Sequence, residues 1–119
     1  MAQTQLILTH SLIPDLKHVA GTSGQAAIYI ANGHGAWEAA VSNVLAAGDT
    51  VLVLATGRFC EGWGEMAGAL GVTVETLDFG NRATIDLAQV EAHLAADRSG
   101  RIKAVMAVQV DTSTSVLKI

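Results

Sequence analysis

The chain has 119 residues, half of them hydrophobic, with seven basic and eleven acidic side chains and a net charge of −4. A domain of this size buries roughly two thirds of the surface its unfolded form exposes. Its apolar content excludes intrinsic disorder, and scattered acids without a basic run argue against a nucleic-acid surface. The lone cysteine, Cys60, has no partner for an internal disulfide. No apolar run approaches the roughly 20 residues of a membrane span, and the start lacks a basic, cleavable leader. The expectation is one cytoplasmic domain, or part of one, with no membrane partner.

Residues 4–20 place Leu6, Ile7, Leu12, Ile13, Leu16 and Val19 at spacings of three and four, a helical stripe interrupted by Pro14. Either a helix kinks there or a second one begins with Pro14 in its first turn. Gly21-Thr22-Ser23-Gly24 is turn chemistry and closes a helical lead-in over residues 1–24. Strands and helices are expected to alternate over 25–119. Ala26 to Ala31, apolar and rich in β-branched and aromatic residues, is expected as the first strand.

The stretch Asn32-Gly33-His34-Gly35 brackets a tight turn with glycines, and a helix is expected from Gly35 to Ala47, with Trp37, Val41, Val44 and Leu45 at helical spacing. Glu38 then falls in its first turn. Thr50 to Ala55 is apolar almost throughout, as suits a strand covered on both faces of a parallel sheet. Gly57 opens a turn carrying Arg58, Phe59 and Cys60, and a helix follows to about Leu70, with Gly71 as its stop. Val72 to Leu77 reads as a strand nearer an edge. Asp86 caps a helix ending near Asp97, with Gln89 three residues on and Leu87, Val90 and Leu94 as its buried stripe. Ile102 to Val110 is the last long strand. The polar run Asp111-Thr112-Ser113-Thr114-Ser115 follows, and Val116 to Ile119 turns apolar again.

Strands alternating with helices through short connections indicate an α/β fold with a parallel sheet and right-handed crossovers. In such sheets ligands sit beyond the carboxyl ends of the strands. The turns at 32–35, 56–60 and 111–115 all follow expected strands and converge on that rim. Strand, glycine turn and helix together aim unpaired N–H groups and a positive dipole end at an anion. A dinucleotide is a poor candidate. The third glycine of G-x-G-x-x-G is replaced by Glu38, and no ribose-binding acid ends the 50–55 strand. A P-loop lacks its Gly-Lys-Ser/Thr.

The ordered set Asn32-Gly33-His34-Gly35-Ala36-Trp37-Glu38-Ala39-Ala40, Gly48-Asp49, Thr56-Gly57-Arg58-Phe59 and Asp111-Thr112-Ser113-Thr114 resembles the class V aminotransferases, and among them the alanine–glyoxylate and serine–glyoxylate group. The resemblance runs from about Leu12 to the C-terminus. It implies a three-layer parallel-sheet segment of a fold-type-I large domain that binds pyridoxal 5′-phosphate (PLP). By that resemblance Gly33, His34 and Gly35 hold the cofactor phosphate, Phe59 stacks on the pyridine face and Thr112 lies near the phenolic oxygen. Each role suits the chemistry, since a dianion wants N–H donors and a flat cationic ring wants an aromatic surface. The implied reaction moves an amino group between a small amino acid and glyoxylate or a related 2-oxo acid, in a homodimer.

Asn32 stands where the family has serine, and Ser115 where it has glycine. The family's ring-nitrogen aspartate and cofactor-linked lysine lie beyond Ile119, so no catalytic residue is assigned in this chain. Lys118 has the wrong context, and Lys103 sits at a strand start. Without that lysine the 119 residues alone are expected to be inactive. The alternative is a non-catalytic α/β module for a phosphate ligand, or a truncated remnant. His10, His18 and His93 show no ligand spacing, so no metal site is expected. Trp37 and Trp63 read as core, and Cys60 as an inert buried thiol.

Overall fold

The computed structural model describes residues 2–117. Lys118 and Ile119 lie outside them, and so do the side chains of Leu6 and Ile7. Contacts divide the chain into two units, 1–31 and 32–119.

The first unit is helix α1, Ala2–Val19, followed by a turn and a segment without regular secondary structure. Pro14 lies inside the one helix, which settles the choice left open above. The chain leaves it through Gly21 at φ +60°. The strand expected over 26–31 does not form. Apolar, β-branched sequence supplies propensity, but a strand exists only where a neighbour accepts its hydrogen bonds, and no described strand pairs with this segment. Tyr29 and Ile30 are fully or nearly fully exposed, where a buried strand was expected.

The second unit carries helix α2 (Gly33–Val44), strand β1 (Thr50–Ala55), helix α3 (Arg58–Ala69), strand β2 (Thr73–Asp78), helix α4 (Leu87–Ala96) and strand β3 (Ile102–Met106). The parallel sheet has the order β2-β1-β3. β1 is central and buried along its whole length, as its unbroken apolar run requires. Register pairs Val51 with Val74 and Leu52 with Glu75, so alternate residues face opposite layers. On the Val51 and Val53 face lies α3. A Cβ on Gly64 would come within 2.9 Å of Val53, so glycine is what lets the helix sit this close. On the Leu52 face, His93 of α4 meets Glu75 at 2.8 Å. Helices on both faces make three layers.

α2 starts two residues before its expected position, because Asn32 caps it, and Glu38 therefore falls in its second turn. α4 keeps its Asp86 cap and the Gln89 side-chain contact to it at 2.9 Å. Its expected stripe is not buried: Leu87 and Leu94 are exposed. The hydrogen bond from His93, then Arg101, hold the Glu75 carboxyl below its ordinary range. β3 ends at Met106, the partner of Val53, instead of running to Val110. Val110–Asp111 (β4) pairs antiparallel with Val116–Leu117 (β5), forming a separate short hairpin.

Candidate functional site

The site is built at the carboxyl end of β1. That strand runs into Thr56 and Gly57, both buried, and α3 begins at once, so Arg58, Phe59 and Cys60 form its first turn. A helix N-terminus leaves its first N–H groups without internal partners. Here a distant residue supplies one. Asp111 is fully buried, and its Oδ2 accepts from Phe59 N (2.9 Å) and Cys60 N (3.2 Å). Oδ1 accepts from Ser113 N (3.0 Å) and from the Ser113 hydroxyl, whose oxygen in turn accepts from Arg58 N at 3.3 Å. A Cβ on residue 57 would stand 2.6 Å from Asp111 Cγ, so glycine is required for the carboxylate to reach the helix.

Burial pushes the Asp111 carboxyl up. The hydrogen bonds from Ser113, then Cys60 and Phe59, outweigh it and hold the group below the usual carboxylate range. Sequence reasoning passed over Asp111 as part of a polar tail. Its partners lie 51 and 52 residues away, beyond any local pattern. The one local signal was the Asp-x-Ser turn at 111–113.

The second helix start is different. Asn32 Oδ1 accepts from His34 N (3.1 Å) and Gly35 N (3.3 Å), a neutral cap at an exposed terminus. A Cβ on Gly33 would meet nothing within 4 Å among the described residues, so no packing seen there demands glycine. Rings join the two helix starts. The His34 ring lies 4.7 Å from Trp37 and 6.3 Å from Phe59, Trp37 lies 6.0 Å from Phe59, and Trp37 stacks on Trp63 at 5.7 Å. The structure therefore brings the Gly33–Gly35 turn and Phe59 together. They border an open cleft of about 530 Å³ lined by His34, Trp37, Arg58, Phe59, Glu61, Gly62 and Glu65. Thr112 is exposed on the turn that Asp111 and Ser113 dock to α3.

Cys60 is buried, and its thiol donates to Leu54 O at 3.1 Å. Burial pushes its pKa up to about 11, which leaves it protonated and unreactive near neutrality. Lys103 Nζ donates to Gly100 O at 2.9 Å, at the end of β3 away from the rim. Among the described residues no three His, Cys, Asp or Glu side chains group as a metal site, and no helix is long and apolar enough to cross a membrane.

Comparison with known proteins decides the relationship. Serine–glyoxylate aminotransferase of Methylorubrum extorquens is 42% identical over 112 residues, which are 92% of this chain and 27% of that protein. The chain is a homologue of the class V glyoxylate aminotransferases. L-aspartate–glyoxylate aminotransferase of Paracoccus denitrificans is 29% identical over 110 residues, again 92% of this chain and 28% of the relative. The crystal structure of a Nostoc alanine–glyoxylate aminotransferase superposes with a TM-score of 0.65 at 28% identity, covering 71% of this chain and 22% of that one. No family model matches the chain. It spans about a quarter of the length of these relatives, and over that span it shares the family's α/β architecture.

Proposed function

We propose that this chain forms one wall of a PLP site in an aminotransferase that exchanges an amino group between a small amino acid and glyoxylate or a related 2-oxo acid. The observation that carries the reading is the contrast at the rim. The N-terminus of α3 is filled by its own chain's carboxylate, whereas that of α2 is exposed, glycine-lined and capped only by a neutral amide. A dianionic phosphate competes well with an amide oxygen for the N–H groups of His34 and Gly35, and the open space at Gly33 gives it room.

Those residues fit the cofactor's phosphate, and half-buried Phe59 beside them fits its ring. Thr112, on the turn clamped to α3, is assigned the hydroxyl near the phenolic oxygen. When bound, PLP supplies an electron-withdrawing ring for amino-group exchange. This chain's part is to hold the phosphate, to present an aromatic face and to keep Phe59 and the 111–115 turn in fixed relation through Asp111. None of its lysines is assigned the cofactor link, so binding without turnover is expected of these 119 residues. The assembly this reading implies is a homodimer.

The test is a titration with pyridoxine 5′-phosphate, whose alcohol does not react with surface lysines, read by quenching of tryptophan emission. Trp37 lies 6.0 Å from Phe59, so saturable quenching is expected, with about tenfold weaker binding for Phe59→Ala. Equal quenching by AMP would overturn the cofactor assignment in favour of a general phosphate-ligand module.

A further inference from the structure

The cleft on the other side of Arg58 and Glu61 is not used by that reading. It has a volume of about 450 Å³ and is lined by Arg58, Glu61, Asn81, Arg82, Ser113 and Thr114. Three segments of the rim meet there: the first turn of α3, the loop from β2 to α4, and the turn between β4 and β5. The chain is acidic overall, yet this cleft gathers two arginines against one carboxylate. Arg101, by contrast, reaches both Glu75 and Asp97. Among the described residues neither Arg58 nor Arg82 has a carboxylate partner. Glu61, three residues along the helix from Arg58, closes no ion pair with it.

The other polar groups narrow the chemistry. The Ser113 hydroxyl donates to Asp111 Oδ1, and the Thr114 hydroxyl donates to Asp111 O at 3.3 Å. Their protons are committed, so charged recognition falls to the two guanidiniums. Each offers planar, fixed donors matched to an oxyanion. Asp111 is buried beneath the turn with both oxygens occupied, so its oxygens do not line the cleft, although its charge works against an anion there and the two guanidiniums must outweigh it. Because Arg58 and Glu61 line both clefts, a ligand held here lies beside the aromatic cleft that contains His34 and Phe59.

We infer that this cleft is a second oxyanion site, in which Arg58 and Arg82 grip the distal carboxylate of a small dicarboxylic acid. As a substrate pocket for a dicarboxylic amino or 2-oxo acid it rests on the aminotransferase reading. As an anion site it stands on the two arginines alone. Inorganic phosphate carries the same oxyanion chemistry, and the experiment separates the two.

The test titrates the ¹⁵N-labelled chain with succinate, acetate and inorganic phosphate, following backbone amides and the arginine Nε–H signals. Succinate is expected to move Arg58, Arg82, Ser113 and Thr114 saturably and more tightly than acetate or phosphate does, with binding that weakens as salt rises. Arg58→Gln and Arg82→Gln, both at exposed positions, should each weaken it about tenfold, the loss of one charge-assisted contact. Glu61→Gln should tighten it. An unchanged affinity in Arg82→Gln, or shifts confined to Gly33–Gly35, would overturn the site, and tighter binding of phosphate than of succinate would overturn the dicarboxylate assignment. Pyridoxine 5′-phosphate in the same spectra reports on Gly33–Gly35 separately. Loss of that response with the succinate response intact removes the cofactor reading and leaves the anion site standing, and the reverse result removes only the anion site.

Discussion

Two helices begin at the same rim and solve the same electrostatic problem in opposite ways. α3 starts in the interior and has its first N–H groups satisfied by a buried carboxylate from 51 and 52 residues away. α2 starts in solvent and borrows the side-chain oxygen of the residue just before it. The first arrangement is permanent, because removing Asp111 strands buried donors. The second is provisional, because water or a ligand can replace an exposed amide oxygen at little cost. The glycines follow the same division. Gly57 is required by Asp111, while a Cβ on Gly33 would meet nothing within 4 Å among the described residues. In the function proposed above, the exposed start is the one left to a ligand.

The contrast is broken most severely at Asp111. Asp111→Ala leaves the buried Cys60 N–H and the part-buried N–H groups of Phe59 and Ser113 without their acceptor, and should cost about 3 kcal/mol in urea unfolding. That is a large fraction of a small domain's stability. Asp111→Asn, which keeps an acceptor, should cost less. The pH dependence has a definite sign. Because the folded carboxyl lies below its unfolded value, its stabilisation is complete above about pH 4 and is lost as pH falls through the lower, folded value. Glu75, Asp86 and Asp97 are lowered too and add to the same acid slope. Unfolding midpoints between pH 2 and about 6 should therefore fall more gently in Asp111→Asn than in the parent. Parallel curves would show that the clamp does not lower the Asp111 carboxyl below its unfolded value.

At the other terminus the expected effect is smaller. Asn32→Ala removes an exposed cap and should cost about 1 kcal/mol, and Asn32→Ser should be nearly neutral. Equal losses for Asp111→Ala and Asn32→Ala in the same urea series would erase the distinction between a fixed and a provisional cap.

This distinction was only half legible in the sequence. The signal of strand, glycine turn and helix was readable at Gly57, and so was the apolar run of β1, because both depend on residues close together. At Gly33 the turn and helix were readable, but the strand expected before them does not form. Ile28, Tyr29 and Ile30 have strand composition, and only the absence of a pairing neighbour, a tertiary fact, denies them that structure. The α4 stripe failed for a related reason. Leu87, Val90 and Leu94 have helical spacing, but spacing does not say how much of the helix is covered. The convergence of the 56–60 and 111–115 turns was expected from their places after strands. The residue that binds them, Asp111, was hidden by its distance along the chain.

The smallest effect lies in the turn that delivers Asp111, and it too was visible as a departure from the family pattern. Ser115 adopts φ +55°, the left-handed region, and its N–H donates to Asp111 O at 2.9 Å. For a residue with a Cβ this conformation costs about 1 to 2 kcal/mol, which glycine avoids. Glycine gives back about 0.5 to 1 kcal/mol through the greater freedom of its unfolded chain. Ser115→Gly should thus gain about 0.5 kcal/mol, a rise of roughly 2 to 4 °C in the calorimetric Tm. The gain depends on the turn being held in this shape, and the shape is held by the Asp111 carboxylate. In an Asp111→Ala background the turn is free to relax out of the left-handed conformation, so the same substitution should gain less. Full additivity of the two changes would mean that the turn keeps its geometry unaided, and that the clamp orders α3 without ordering the segment that carries it.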